Sequence, residues 1–262
     1  MLVALSLGAV PAMADEPLWE LGAGLAGLRL PHYRGSDQSQ AMVLPLPYVI
    51  YRGDFLRADR EGARARLVES EAVQVDLSVA ASAPTDSKDN RARAGMADLA
   101  PTFELGPRLQ FKLASGPGWK LDLRLPLRAV VTLEAHPHTV GWTAAPHINI
   151  DTRLGAWNLG LLAGPEWGSQ KLNAYYYGVP AADATATRRA YRAEAGNAGW
   201  QATMAASRRW GNAWLGVFAK ADTVAGARFA DSPLVRRRAT LSYGIGMSWV
   251  FATSSQRVTN DQ

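Results

Sequence analysis

One stretch near the C-terminal end restricts the fold more than any other. At residues 241–251, large apolar side chains alternate with Ser and Gly. Because successive side chains on a β-strand point to opposite faces, this stretch predicts a strand with one apolar and one small, polar face. A soluble sandwich would need a second sheet to bury the apolar row, whereas a membrane barrel needs only lipid outside and a polar lumen inside. The fold therefore depends on whether the rest of the chain repeats this pattern.

The same alternation recurs through most of the chain. It is clearest at residues 119–129, where Trp, Leu and Ala on one face oppose Lys, Asp, Arg and Pro on the other. A strand buried on both faces could not carry four charged side chains, so one side must be solvated. Prolines within some segments, such as Pro146, predict bends in the wall because proline removes a ladder hydrogen bond. Further strands are predicted at residues 19–29, 42–51, 73–79, 103–113, 142–151, 157–167, 200–210 and 213–225.

The connections alternate between short and long. Outer-membrane barrels have tight turns at the periplasmic end and long loops outside, whereas a sandwich does not sort its loops in this way. The alternation requires an odd number of strands between residues 54 and 83. The predicted fold is all-β, a transmembrane antiparallel up-and-down β-barrel of about 12 strands, with 10 or 14 as alternatives. Tight turns are predicted at residues 52–53, 115–118, 154–155 and 211–212, the longest loop at 171–198, and three strands at 54–60, 63–69 and 72–82.

The N-terminal residues have the pattern of a secretory signal. An apolar run at residues 2–10 is followed by Ala12-Met13-Ala14, a small-residue cleavage site. No apolar run reaches the roughly 18 residues of a membrane helix. The expected location is therefore the outer membrane of a Gram-negative bacterium. The expected parts of the chain are a signal peptide at 1–14, a single outer-membrane β-barrel at 15–251 and a polar C-terminal tail at 252–262.

Composition argues against several classes of function. The chain contains no cysteine, and so no disulfide framework, thiolate metal site or cysteine nucleophile. Its net charge is +5, but the basic residues are spread singly through the alternating segments, so no nucleic acid partner is expected. Aromatic residues cluster near the predicted strand ends, as they do in the girdles of membrane barrels.

The histidines offer little chemistry. His136 and His138 lie near Glu134 in a predicted external loop, but no third spaced ligand completes a zinc site. His147 is predicted to face the lumen, where a lipase-like site would also need a poised serine, and none is identifiable. The protein is therefore not expected to be an enzyme. No catalytic residue, cofactor or metal site is predicted.

Charged side chains are predicted to face the lumen from several neighbouring strands. Because opposite charges at this spacing should pair across strands, we expect them to fill a barrel of intermediate width. An anion-preferring pore is the alternative. The candidate lumen charges are Glu104, Arg108, Lys112, Lys120, Asp122, Arg124, Arg128 and Glu166.

The long loop at residues 171–198 combines tyrosines with arginines. Such side chains are frequent in binding surfaces, and they serve equally well in a loop packed over the barrel mouth. The candidate external-loop contacts are Tyr175, Tyr176, Tyr177 and Tyr191.

Several motifs are similar to those of one protein family. They are residues 47–57, Ala97-Asp98-Leu99, Tyr175-Tyr-Tyr-Gly-Val179, Asp231-Ser-Pro-Leu-Val235 and the closing strand. Together they cover nearly all of the predicted mature chain and resemble the MipA/OmpV outer-membrane proteins, the MltA-interacting proteins. Gly246, Trp249 and Phe251 of the closing strand also resemble the C-terminal signal that the barrel-assembly machinery reads.

The resemblance implies a role that the alternation does not supply. It implies a structural scaffold at the periplasmic face, with a lytic transglycosylase and a penicillin-binding protein as partners in peptidoglycan remodelling. The alternatives are a narrow porin-like channel for small solutes and a surface adhesin or antigen. Outer-membrane lipid and lipopolysaccharide are further expected partners.

Overall fold

The structure is a computed structural model that describes residues 16–52, 56–59, 62–69 and 73–258. The predicted signal peptide at residues 1–14 lies outside the described residues. Within these ranges there are one α-helix, α1 (Gln170–Tyr177), and fifteen strands. The strands are β1 (Glu16–Pro17), β2 (Trp19–Pro31), β3 (Ser39–Arg52), β4 (Leu56–Asp59), β5 (Gly62–Glu69), β6 (Val73–Ser82), β7 (Thr102–Gly116), β8 (Trp119–Thr132), β9 (Thr139–Ala144), β10 (His147–Leu154), β11 (Trp157–Gly168), β12 (Gly196–Trp210), β13 (Ala213–Thr223), β14 (Ala239–Thr253) and β15 (Arg257–Val258).

The strands from β2 to β14 form one closed antiparallel sheet. It closes where β14 pairs with β2, with Tyr243 opposite Arg29 and Thr253 opposite Glu20. Strands β9 and β10 occupy a single position, because each of them pairs with both β8 and β11. Twelve positions therefore surround the lumen, which confirms the predicted up-and-down barrel and its strand number.

The prediction of one unbroken strand at residues 142–151 was wrong at its middle. Ala145 and Pro146 separate β9 from β10. Proline has no N–H to donate to a ladder, so the sheet loses a hydrogen bond there. On the neighbouring strand, a Cβ added to Gly164 would lie 2.0 Å from the carbonyl oxygen of Pro146. The bend predicted from Pro146 is thus present, and it presses against β11.

The two ends of the barrel differ. At one end the described turns are short, at residues 117–118, 155–156 and 211–212. At the other end the connections are long, at residues 32–38, 83–101, 133–138, 169–195 and 224–238. This confirms the predicted sorting for these connections, whereas β4 and β5 are joined by only two residues and the predicted turn at residues 52–53 lies partly outside the described residues.

The outward face of the wall is apolar. Leu25, Val43 and Met204 are each more than 60% exposed. Leu25 and Met204 lie between small or polar residues that face inward, whereas Val43 lies between Met42 and Leu44. In water this surface would be unfavourable, whereas lipid accepts it without cost. No helix in the described parts of the chain is long and apolar enough to cross a membrane.

The first and last described strands meet at the turn end of the barrel. Strands β1 and β15 form a separate ribbon, with Glu16 opposite Val258 and Pro17 opposite Arg257. The backbone N–H of Leu18 donates to the carbonyl of Gln256 at 2.9 Å. Part of the segment predicted as a polar tail therefore pairs with the residues before the first barrel strand.

Candidate functional site

The lumen contains a buried ion pair between β6 and β7. Asp76 and Arg108 are register partners whose side chains both point inward. The guanidinium of Arg108 donates twice to the carboxylate, Nε to Oδ1 at 2.9 Å and Nη2 to Oδ2 at 2.7 Å. Asp76 is 0% exposed. This bidentate geometry is the strongest form of an Arg–carboxylate contact, and it fixes both side chains across the lumen wall.

A second cluster continues the network onto β8 and β10. Nη2 of Arg124 lies 3.2 Å from carboxylate oxygens of both Asp122 and Asp151. Gln110 donates to Asp122 at 3.2 Å, and Asn149 donates to Asp151 at 2.7 Å. Asp122 and Arg124 are both buried. The charges of this wall are thus neutralised locally rather than presented to a water-filled channel.

The remaining lumen candidates lie around this cluster. Arg128 donates to Glu104 at 2.9 Å and to Ser78 at 3.1 Å. Lys120 pairs with Asp151 at 3.5 Å. Lys112 is exposed near the turn end, and no hydrogen bond or ion pair engages it within the described residues.

Glu166 belongs to a separate group near the long loops. It pairs with Arg34, which enters the lumen from the loop at residues 32–38. Nε of Arg34 also lies 3.0 Å from Asp222, and Lys220 pairs with Asp222 at 3.2 Å. Arg34 thereby joins β11 to β13 through a loop residue. Sequence reasoning missed Arg34 because it lies in no alternating segment.

The opposite side of the lumen is apolar. Inward glycines on β13 and β14 make room for large side chains, since a Cβ added to Gly246 would lie 2.7 Å from Leu46 and one added to Gly216 would lie 2.3 Å from Trp214. The rings of Tyr48 and Trp214 are 5.9 Å apart. Side chains from both walls therefore project into the lumen.

The residues proposed as an assembly signal divide between the two faces of β14. Gly246 faces the lumen, and because it has no side chain it leaves room for the side chain of Leu46. Trp249 and Phe251 point outward and are 57% and 67% exposed. Their role in assembly stays a prediction.

Four long loops pack together over one mouth of the barrel. We call residues 32–38, 83–101, 169–195 and 224–238 the cap. Phe229 and Leu234 are fully buried at its centre, and the ring of Tyr177 stacks on Phe229 with centroids 3.6 Å apart. The hydroxyl of Tyr33 donates to the carbonyl of Leu234 at 2.8 Å. Burial raises the pKa of Tyr33 to about 12, so its phenol stays protonated at neutral pH.

A buried arginine fastens two of the cap loops to each other. Arg188 donates to the carbonyls of Ala92 at 3.0 Å and Ala94 at 2.9 Å, and twice to Asp183. Arg93 donates in return to the carbonyl of Tyr176 at 3.2 Å. Because these guanidinium groups satisfy carbonyls that would otherwise be buried unpaired, the cap is a folded layer rather than a set of free loops.

The loop tyrosines lie mostly inside this layer. Tyr177 is 5% exposed and donates to the carbonyl of Arg34 at 3.0 Å. Tyr175 and Tyr176, partly buried on α1, pack against the cap core. Tyr191 is partly buried, and its hydroxyl donates to the carbonyl of Arg228 at 3.3 Å. Of the two interpretations drawn from the sequence, a loop packed over the barrel mouth describes Tyr177, whose ring a partner on the outside could not reach.

The histidines form simple local contacts. Nδ1 of His138 lies 3.0 Å from Glu134, and Nδ1 of His147 lies 2.7 Å from the carbonyl oxygen of Ala145. In the described ranges no three His, Asp or Glu side chains are grouped closely enough to hold a metal ion. The arrangement as a whole can neutralise charge, fill the lumen and close one mouth.

Comparison with known proteins identifies one family. The family model described as MltA-interacting protein MipA matches residues 23–251. No curated protein sequence matches the chain. Among solved structures, an outer membrane channel from Pseudomonas putida F1 is similar at 10% identity and a TM-score of 0.47, covering 94% of this chain and 100% of that chain. A bacterial polysaccharide outer membrane secretin is similar at 10% identity and a TM-score of 0.45, covering 89% and 99%.

Proposed function

The chain belongs to the MltA-interacting protein MipA family, and from this premise we propose that it is a structural scaffold of the outer membrane. In this role it holds peptidoglycan-remodelling enzymes at its periplasmic face and conducts no solute. The partners we propose are a lytic transglycosylase of the MltA type and, through it, a penicillin-binding protein. The barrel acts as the membrane anchor of this assembly.

The observation that carries the proposal is the double closure of the barrel. The cap covers one mouth with a buried core, and ion pairs such as Asp76–Arg108 occupy the lumen below it. A channel needs polar groups that bind a solute weakly along an open path, whereas these charges are paired with one another. A filled barrel is a rigid platform, which is the property that a scaffold needs.

The periplasmic end offers a specific contact. The β1–β15 ribbon carries exposed side chains at Ser255, Gln256 and Arg257. A short ribbon at the end of the barrel can present its side chains to a partner, and the exposed Arg257 suits an acidic group on it. We propose that this ribbon takes part in binding the transglycosylase.

Co-purification tests the proposal. The full chain, tagged in the loop at residues 133–138, would be extracted in mild detergent together with an MltA-type transglycosylase. We expect the enzyme to be retained by the wild type and lost from Arg257→Glu combined with Gln256→Pro, since the glutamate reverses the charge of the ribbon and the proline removes the N–H that donates to the hydroxyl of Ser254. Arg189→Glu in the cap is the matched charge change at the other end and should retain the enzyme. Failure of the wild type to retain the enzyme would refute the scaffold role. Equal retention by all variants would show that the ribbon does not take part in binding the enzyme.

A further inference from the structure

Four arginines lie near the seam of the barrel, at the mouth that the cap covers, and the described residues provide no side-chain partner for them. Arg29 is exposed on the outward face of β2, opposite Tyr243 of β14. Arg236, Arg237 and Arg238 are exposed in the segment of the cap that leads into β14. Within the described part of the chain, none of these guanidinium groups makes a hydrogen bond or an ion pair.

Backbone hydrogen bonds hold the arginine segment in this sector. The N–H groups of Arg236 and Arg237 donate to the carbonyl of Gly35 at 2.8 and 3.0 Å, next to the end of β2. The carbonyl of Arg238 accepts from the N–H of Val224 at 2.8 Å. The three cations therefore stay beside the strand that carries Arg29. Mutual repulsion of unpaired cations is unfavourable unless an anion compensates it.

A mostly apolar groove of about 580 Å³ lies at the seam and has Arg29 in its lining. Its outward-facing lining is Gly27, Arg29, Ala41, Val43, Tyr243 and Ile245, and the inward-facing Leu28, Met42, Phe218 and Gly244 complete it. A Cβ added to Gly27 would have no atom within 4 Å, so the groove is open there. The volume falls in the range of about 300–1,000 Å³ that is usual for small-molecule sites.

A second groove provides a comparison. It measures about 460 Å³ and lies across β10 to β13, with Leu161, Met204, Val217 and Ala219 in its lining. The described residues that line it include no charged side chain. Of these two grooves, the one at the seam has a charged residue in its lining and the other has none.

We propose that the seam sector binds one molecule of lipopolysaccharide, with an acyl chain in the groove and its phosphates on Arg29 and Arg236–Arg238. Arginine forks bind phosphate oxygens in pairs, and several cations suit a lipid with more than one phosphate. The aromatic ring of Tyr243 beside Arg29 marks the headgroup level, where such rings collect. The inference rests on the outer-membrane location and loop orientation proposed above, and it does not depend on the enzyme partner.

Binding of purified lipopolysaccharide to the refolded full chain in detergent tests the site. Phosphatase-treated lipopolysaccharide and phosphatidylglycerol serve as competing probes. We expect Arg29→Gln with Arg236→Gln, Arg237→Gln and Arg238→Gln to weaken binding by about tenfold or more, because each basic residue near an anionic lipid surface contributes separately. Gly27→Leu should weaken binding severalfold by filling the groove. Ala41→Leu fills the same groove, and this variant is used instead if Gly27→Leu does not fold.

Two controls separate the site from general effects. Ala219→Leu fills the second groove, and Arg153→Gln with Lys112→Gln removes two exposed charges from the turn end; both should bind like the wild type. Untreated lipopolysaccharide should outcompete both other probes. Absence of wild-type binding, equal binding by the seam variants, or equal competition by phosphatidylglycerol would overturn the proposal. A Gly27→Leu variant that abolishes a wild-type dimer but leaves lipid binding unchanged would assign the groove to a second copy of the chain.

Discussion

At the scale of single residues, the stability of the lumen depends on buried charges that are tolerated only when they are paired. Asp76 is fully buried and its two oxygens are both occupied by Arg108. Removing one partner leaves a buried charge without compensation, which costs about 3–5 kcal/mol, whereas replacing both partners by apolar groups is often nearly neutral. The pair is thus a stronger constraint on sequence than its net contribution to stability suggests.

This reasoning makes a prediction for Arg108→Met. We expect it to lower the free energy of unfolding in detergent micelles by about 3–5 kcal/mol, as measured by denaturant titration of tryptophan fluorescence. The double variant Asp76→Leu with Arg108→Met should recover most of that loss. A double variant as unstable as the sum of both single variants would show that the two side chains act independently.

Residue-level prediction from sequence succeeded where a side chain lay in an alternating strand. Arg108, Asp122 and Arg124 could be assigned to the lumen because period-two alternation fixes the face of every residue in a strand. Their partners could not be assigned, since pairing depends on register. Arg34 and its contacts with Glu166 and Asp222 could not be found at all, because a loop has no period.

At the scale of elements, glycines set how closely strands approach each other. On β2, a Cβ added to Gly24 would lie 1.8 Å from the carbonyl oxygen of Met247 on β14, whereas one added to Gly27 would meet nothing within 4 Å. The two glycines are three residues apart on the same strand at the seam. They offer a direct comparison of a closely packed and an open position.

We therefore expect Gly24→Ala and Gly27→Ala to differ sharply. The first should reduce the fraction of folded barrel, because the seam would have to separate to admit the methyl group. The second should fold like the wild type. Heat-modifiable mobility on a gel measures the folded fraction, and equal fractions for the two variants would contradict the close approach at Gly24.

Strand positions were largely predictable, and the cap was not. The strands at residues 54–60 and 63–69 were inferred from loop parity alone, and β4 and β5 lie there. The break at Ala145 and Pro146 was not predicted, because a proline within a strand is compatible either with a β-bulge or with an interruption of the strand. The cap core joins residues as distant as Tyr33 and Leu234, and no local pattern encodes such contacts.

At the scale of the whole molecule, the barrel is closed in two layers. The cap is held by its own core and by Arg188, and the lumen network lies beneath it. The cap core also means that deletion of residues 171–198 would remove α1 and Tyr177 together with any external surface. Point substitutions on exposed positions, such as Arg189 and Arg192, are a cleaner test of adhesion.

Planar-bilayer recording tests whether the barrel as a whole conducts ions. We expect the wild type to show no steady current. Phe229→Ala, which empties the centre of the cap, should still show none, because the lumen remains filled by ion pairs. A steady wild-type current that Arg124→Glu and Arg128→Glu shift toward cations would establish the channel instead.

The seam between β14 and β2 joins segments that are separated by nearly the entire chain. Loop-closure entropy makes such a contact slow to form, and until it forms both strands present unpaired backbone edges. The β1–β15 ribbon lies beside the same seam and links the residues before β2 to those after β14. During biogenesis this ribbon would act as a tether, raising the effective concentration of one edge for the other and shortening the time in which either can pair with a foreign strand.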